Sequence, residues 1–136
     1  MATSGYSKTP LAKKLGIKEN FQCYFYNRPD YYFDLFDVLP LIKESKRPSP
    51  GSLDFVHVFV QSQKELEKIG PKVKDYLKKD GMVWFSWPKG TSGVKTDLSG
   101  NIVREYILGI GLVDIKVAAI DETWSGLKFV YRLKDR

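Results

Sequence analysis

Apolar residues fill almost every position of two stretches, Asp54–Val60 (DFVHVFV) and Met82–Trp87 (MVWFSW). Neither shows the alternation of a half-exposed strand, so both read as strands covered on two faces. Phe21–Tyr26 (FQCYFY) is a third β-favouring run, Val113–Ile120 and Leu127–Leu133 are two more, and Leu41–Glu44 fits a short edge strand. The segments between carry helix punctuation. Thr9 and Pro10 offer an N-cap and a first-turn proline for a short helix over 10–15, which Gly16 ends. Asp30 can cap a helix over 31–38 that Pro40 stops. Ser62-Gln63-Lys64-Glu65 is a capping box that opens the next helix. Gly70-Pro71 is expected to split that helix, with a second segment running to Lys79 and ended by Asp80-Gly81. Thr96 or Asp97 caps a helix over 98–109, while 46–52 and 88–93 read as loops and 121–126 as a turn.

Strand and helix alternate along most of the chain, and two strands follow each other at its end. This order predicts an α/β fold: a three-layer, Rossmann-like, mostly parallel sheet closed by an antiparallel C-terminal hairpin. The 136 residues suit one domain, 1–136, with residues 1–8 a flexible polar arm.

Composition narrows the class. Hydrophobic residues make up 43% and aromatics 14%, enough for a core without covalent staples. A single cysteine, Cys23, and a single histidine, His57, exclude a disulfide framework and a Cys/His zinc site, and no metal site is expected. This usage fits a reducing, cytoplasmic setting. The longest apolar run is far short of a membrane span, and the first residues lack the apolar core of a signal peptide. The net charge is +6, from 22 basic and 16 acidic residues. The basic residues are scattered, at Lys13-Lys14, 43–47, Lys78-Lys79 and 132–136, which reads as a solvated surface that attracts anions more than as a nucleic-acid stripe.

Open α/β sheets bind ligands beyond the carboxyl ends of their strands. The loops 27–30, 61–62, 88–96 and 121–126 are expected to meet there. They would gather Asn27, Arg28, Asp30, Ser86, Trp87, Lys89, Thr91, Ser92, Asp97, Asp121 and Trp124 as candidate ligand-binding residues, with Glu122 and Ser125 beside them. The loop KGTSGVKT (89–96) is not a phosphate loop, because Val94 stands where the glycine before Lys95 belongs. A Gly/Ser/Thr loop with two lysines that leads into a helix can still hold an anion through backbone amides. Trp87 and Trp124 would either stack on a flat ligand or brace the sheet edge. Asp121 and Glu122 read as turn acids before they read as a general base. His57, in mid-strand, reads as a core histidine with a hydrogen-bonded ring, and Cys23 as a small buried hydrophobe. The aromatic run at 24–26 and 31–33 reads as core. No catalytic residue is assigned.

Two resemblances follow from these segments. GYSKTPLAKKLGI (5–17), SWPKGTSGVKTDL (86–98) and GLVDIKVAAIDETWSGLKFVYRLKDR (111–136) resemble the signature blocks of a family of small bacterial proteins known only as a domain of unknown function. That resemblance implies a bacterial origin. The sequence of DFVHVFV, a helix, Leu77–Gly81 and MVWFSW, with the strand–turn–strand at 113–133, resembles class I S-adenosylmethionine-dependent methyltransferases. The resemblance implies a glycine-rich loop after the first strand and an acid after the second to hold the ribose. Here the loop reads Asn27-Arg28-Pro29-Asp30, without glycine. Residues 28–53 are too few for the usual two strands and helices, and Glu44 is the nearby candidate acid. The expectation is a trimmed, non-catalytic or degenerate ligand-binding relative, whose ligand is a small anion or an adenosyl compound. Two alternatives stay open: an enzyme, methyltransferase or other, using the 86–97 and 121–126 loops, and a nucleic-acid-binding protein.

Overall fold

The computed structural model describes residues 9–136, so the arm expected over 1–8 lies outside the described residues. Helix α1 (Leu11–Leu15) leads into strand β1 (Gln22–Tyr26), a two-residue strand β2 (Lys43–Glu44) and strand β3 (Leu53–Phe59). Helix α2 (Gln63–Tyr76) and strand β4 (Leu77–Pro88) follow, then helix α3 (Gly100–Gly109) and the strands β5 (Leu112–Ala119) and β6 (Trp124–Tyr131). The six strands lie in the order β2-β1-β3-β4-β6-β5. Strands β2, β1, β3 and β4 are mutually parallel, and β6 runs antiparallel to both β4 and β5. The chain leaves β1 toward one side of the sheet and returns to β3 on the other, which makes the β1/β3 boundary a topological switch point.

Period-two alternation in the central strands builds two cores. Val56, Val58, Val83, Phe85 and Phe129 face α2 and α3, while Phe55, Phe59 and Trp84 face α1 and the 31–39 segment. Both sets are wholly or almost wholly buried, which explains the unbroken apolar runs. The layer that holds α1 is thin, with five helical residues and a single 3₁₀ turn, Tyr32–Leu35. Helix α1 is held by its carbonyls. The amides of Gly16 and Ile17 take Ala12 O, the Lys116 ammonium takes Lys14 O at 2.9 Å, and the Trp84 indole takes Leu15 O at 2.8 Å. Gly16 closes the helix at φ 91°, in the left-handed region, with Met82 Sδ only 2.9 Å from where a Cβ would sit.

Five expectations are corrected. The helix over 31–38 is only the 3₁₀ turn Tyr32–Leu35, after which Phe36 is extended. Tyr32, Leu35, Phe36 and Leu39 keep the i, i+3, i+4, i+7 spacing of a helical face, yet with Phe33 they pack on the same core from a 3₁₀ turn and extended backbone. Gly70-Pro71 does not split α2. Gly70 lets α3 approach, since a Cβ there would lie 3.2 Å from the Tyr106 ring. Pro71 has no N–H for the Glu67 carbonyl, and the Tyr106 hydroxyl donates to that carbonyl instead, at 3.3 Å. The helix stops at Tyr76, and Asp80-Gly81 lies inside β4, where the β3 pairing shifts from Leu53↔Leu77 to Phe55↔Met82. At Gly81 a Cβ would meet the Leu53 carbonyl oxygen at 2.7 Å, so the close strand approach requires glycine. Helix α3 is capped by Ser99, which accepts from the Ile102 amide, and not by Thr96 or Asp97. The turn before β6 is shorter than 121–126, because Trp124 already pairs with Pro88.

The sheet ends in β2 on one side and β5 on the other. Ile115 is an extra residue at a break in register between Asp114 and Lys116, and Ile115 and Val117 are 57% and 70% exposed.

Candidate functional site

The carboxyl edge collects the exits of β1, β3 and β4 with the turn between β5 and β6. At the switch point Asn27 takes φ 54°, a left-handed conformation that asparagine tolerates. Its Nδ2 donates to Glu65 Oε2 at 2.9 Å. Glu65 also accepts the Gln61 amide at 2.8 Å, while its own amide donates to the Ser62 hydroxyl. The capping box of α2 thus ties the exits of β1 and β3 together. Arg28 pairs with Glu44 at 3.2 Å, with its guanidinium 4.7 Å over the Phe33 ring. The carboxylate at the end of β2 is therefore already matched by a cation from the loop after β1. Asp30 is exposed beside them.

Beneath this edge lies a buried polar chain. The Tyr32 hydroxyl is 2.9 Å from His57 Nδ1, and His57 Nε2 is 2.8 Å from the Ser86 hydroxyl. All three residues are fully buried, and the imidazole stacks on Phe59 at 4.3 Å. Burial alone pushes the His57 pKa down to about 3, so the ring is neutral and satisfied on both nitrogens. Burial likewise raises Tyr32. Burial, then the Asp54 and Glu44 carboxylates, pushes the Cys23 thiol up to about 12. None of these groups is an accessible acid, base or nucleophile. Ser86, expected at the edge, is turned inward onto His57.

The remaining candidates fall on two sides of the sheet. Toward α3, the loop after β4 forms a 3₁₀ turn at Gly90–Ser92. It is braced by the Ser92 hydroxyl donating to Lys89 O at 2.7 Å and accepting the Val94 amide. Thr91 is exposed on this turn. Thr96 donates to Gln61 O at 2.6 Å and Asp97 accepts the Gln63 amide at 2.8 Å, so both pin the loop to the start of α2. A shallow depression of about 610 Å³ opens between this loop and α3, lined by Trp87, Lys89, Lys95, Thr96, Ser99 and Ser125, among others. The amides of the first turn of α3 have no partner within the helix and carry its positive end. Trp87 forms the buried floor. Trp124 points to the opposite face, edge-on to Phe59 at 5.0 Å, so the two tryptophans do not form one stacking platform. Asp121 caps its own turn through the Thr123 and Trp124 amides, both at 2.8 Å, and takes the Tyr31 hydroxyl. Burial first, and then Asp121, raises that phenol. Sequence reasoning passed over Ser99 and Glu65 as parts of this edge. The capping box was the available signal for Glu65, but nothing local marks its bond to Asn27.

Among the described residues no group of three or more His, Cys, Asp or Glu gathers as a metal site. No helix among them is long and apolar enough to cross a membrane.

The strand order, the switch point and the antiparallel closing pair define a Rossmann-like sheet of the methyltransferase kind. Known structures of that kind superpose on it. A SAM-dependent methyltransferase from Aquifex aeolicus aligns with TM-score 0.60 at 11% identity, over 88% of this chain and 86% of its own. The Burkholderia thailandensis 1,6-didemethyltoxoflavin-N1-methyltransferase, solved with S-adenosylhomocysteine bound, aligns with TM-score 0.59 at 10% identity, over 88% and 73%. Magnesium protoporphyrin IX methyltransferase from Synechocystis aligns with TM-score 0.61 at 8% identity, over 90% and 74%. Identities this low establish the fold alone. No family profile matches the chain, and no curated protein does.

Proposed function

We propose that this chain is a trimmed, non-catalytic relative of the methyltransferases that binds a small anion in place of an adenosyl cofactor. The observation that carries this reading is the closure of the switch point by the chain's own side chains, Asn27 on Glu65 and Arg28 on Glu44. A nucleotide-like ligand at a switch point needs a backbone that it can approach closely. Here the loop has no glycine, and the carboxylate that ribose hydroxyls would use is engaged by Arg28. The residues present do not fit an adenosyl group. The depression at α3 suits an anion better, with Lys89 and Lys95 on its rim and the positive end of a ten-residue helix at its base. Catalysis by the 86–97 and 121–126 loops has less support, because Ser86 is buried and Asp121 is spent on its turn. A cytoplasmic setting in a bacterium is part of the same reading, from the lone buried thiol and the three resembling blocks.

The test is thermal shift and calorimetry with S-adenosylmethionine, S-adenosylhomocysteine, ATP and phosphate. A ligand at about 100 times its Kd adds about 2.7 kcal/mol and raises Tm by several degrees. The expected result is no response to the two adenosyl–sulfur compounds and a saturable response to phosphate that Lys95→Ala abolishes. A saturable shift with S-adenosylhomocysteine would overturn the reading.

A further inference from the structure

On the α1 face of the sheet lysines are brought together from remote parts of the chain, and Lys89, on the rim of the depression, stands at one end of the group. Lys116 of β5 and Lys128 of β6 stand directly opposite each other in the antiparallel pair. Helix α1 crosses beside them. Its Lys14 ammonium donates to Ala119 O at 3.0 Å, and its Lys14 carbonyl accepts from Lys116. Lys128 Nζ is 3.1 Å from the Cβ position of Gly16, at the end of the same helix. Lys89 and Lys18 lie close enough to act on Lys14 and Lys128 respectively.

Like charges directly opposite in a sheet are destabilising. Burial and then the neighbouring lysines lower the pKa of both Lys14 and Lys128, which is the physical mark of cations crowded together. Among the described residues no carboxylate forms an ion pair with any of the five. Residues 1–8 contain no Asp or Glu that could supply one. The three ammonium groups fixed by position are held by main-chain carbonyls or packed on the helix end, and among the described residues no carboxylate pairs with them.

The face also has a length. Lys128 is opposite Trp84, and Lys89 lies five residues further along the chain, just past the end of β4, which places it about 16 Å away at the rise of an extended strand. One phosphate would touch one end of this face. The two tryptophans of this face, Trp84 and Trp124, are buried and offer no ring for base stacking. We propose that the Lys14–Lys89–Lys116–Lys128 face binds an extended chain of phosphates through charge alone. The chemistry is shared by linear polyphosphate and by the backbone of a single-stranded nucleic acid.

The two sources are separated by titrating the Lys95→Ala protein, in which the depression has lost the lysine that only it uses, while Lys89 is kept. One arm uses tripolyphosphate by calorimetry and the other a labelled twelve-nucleotide oligothymidylate by anisotropy. The expected result is saturable binding in at least one arm that weakens steeply with salt. For the oligonucleotide, the slope of log K against log salt falls by about 0.7 for each lysine removed. Lys128→Met separates this role from a structural one. It relieves the cross-strand repulsion, so Tm is expected to rise while binding weakens. Lys116→Arg keeps the charge and is expected to keep binding. No saturable binding in either arm would overturn the proposal, as would binding that Lys128→Met leaves unchanged.

Discussion

His57 is the residue whose burial has the clearest consequence. It is neutral in the fold, with its pKa pushed down to about 3, and titrates near 6.5 once the chain unfolds. Between those values the unfolded chain binds a proton that the folded one does not. The stability tied to His57 is therefore fully present above about pH 6.5 and falls by about 1.4 kcal/mol per pH unit below it, until the folded value is reached. His57→Leu removes this dependence and leaves the Tyr32 and Ser86 hydroxyls without a partner, each costing about 1–3 kcal/mol. Urea denaturation of both proteins from pH 7.5 to 4 should show wild type ahead at neutral pH and the gap narrowing as pH falls. A gap that stays constant would mean that His57 is not held neutral. The core role of His57 was legible from its place in DFVHVFV. Its partners were not, because Tyr32 is 25 residues away and Ser86 is 29.

Among the elements, α2 shows how one interaction can replace another. The Tyr106 hydroxyl serves the carbonyl that Pro71 leaves open. Tyr106→Phe should destabilise the protein by about 0.5–1 kcal/mol. Pro71→Ala should stabilise it, because a proline inside a helix is costly. In the Pro71→Ala background Tyr106→Phe should cost little, and a double-mutant cycle by thermal denaturation would measure the coupling. Additive effects would show that the hydroxyl does not serve Glu67. This compensation also explains why the element pattern was only partly readable. Gly70-Pro71 is a fair signal for a break, and what cancels it is a side chain from another helix. Asp80-Gly81 likewise reads as a turn, yet the glycine is needed because β3 approaches it. The strands were more legible, since DFVHVFV and MVWFSW record burial on two faces directly in their composition.

At the scale of the whole molecule, the sheet and its closing strands could be read from the order of elements, and the missing glycines warned that the switch point differs. What closes it could not be read, because Glu65 and Glu44 come from other strands' surroundings. The same limit hid the lysine face, which no local motif marks. One further feature bears on how copies of this protein treat one another. Among the described residues no strand pairs with the outer side of β5, beside Ile115 and Val117, a combination that invites another chain to add a strand. The break in register at Ile115 spoils that template by kinking the edge. Removing Ile115 would straighten it and leave a flat edge beside Val117. Sedimentation of the ΔIle115 protein should then show mass growing with concentration, while wild type does not grow in the same way. A ΔIle115 protein that sediments like wild type would free the bulge of this duty. On this view the single extra residue acts as a guard against polymerisation, and it lets the protein keep an apolar border without gathering copies of itself.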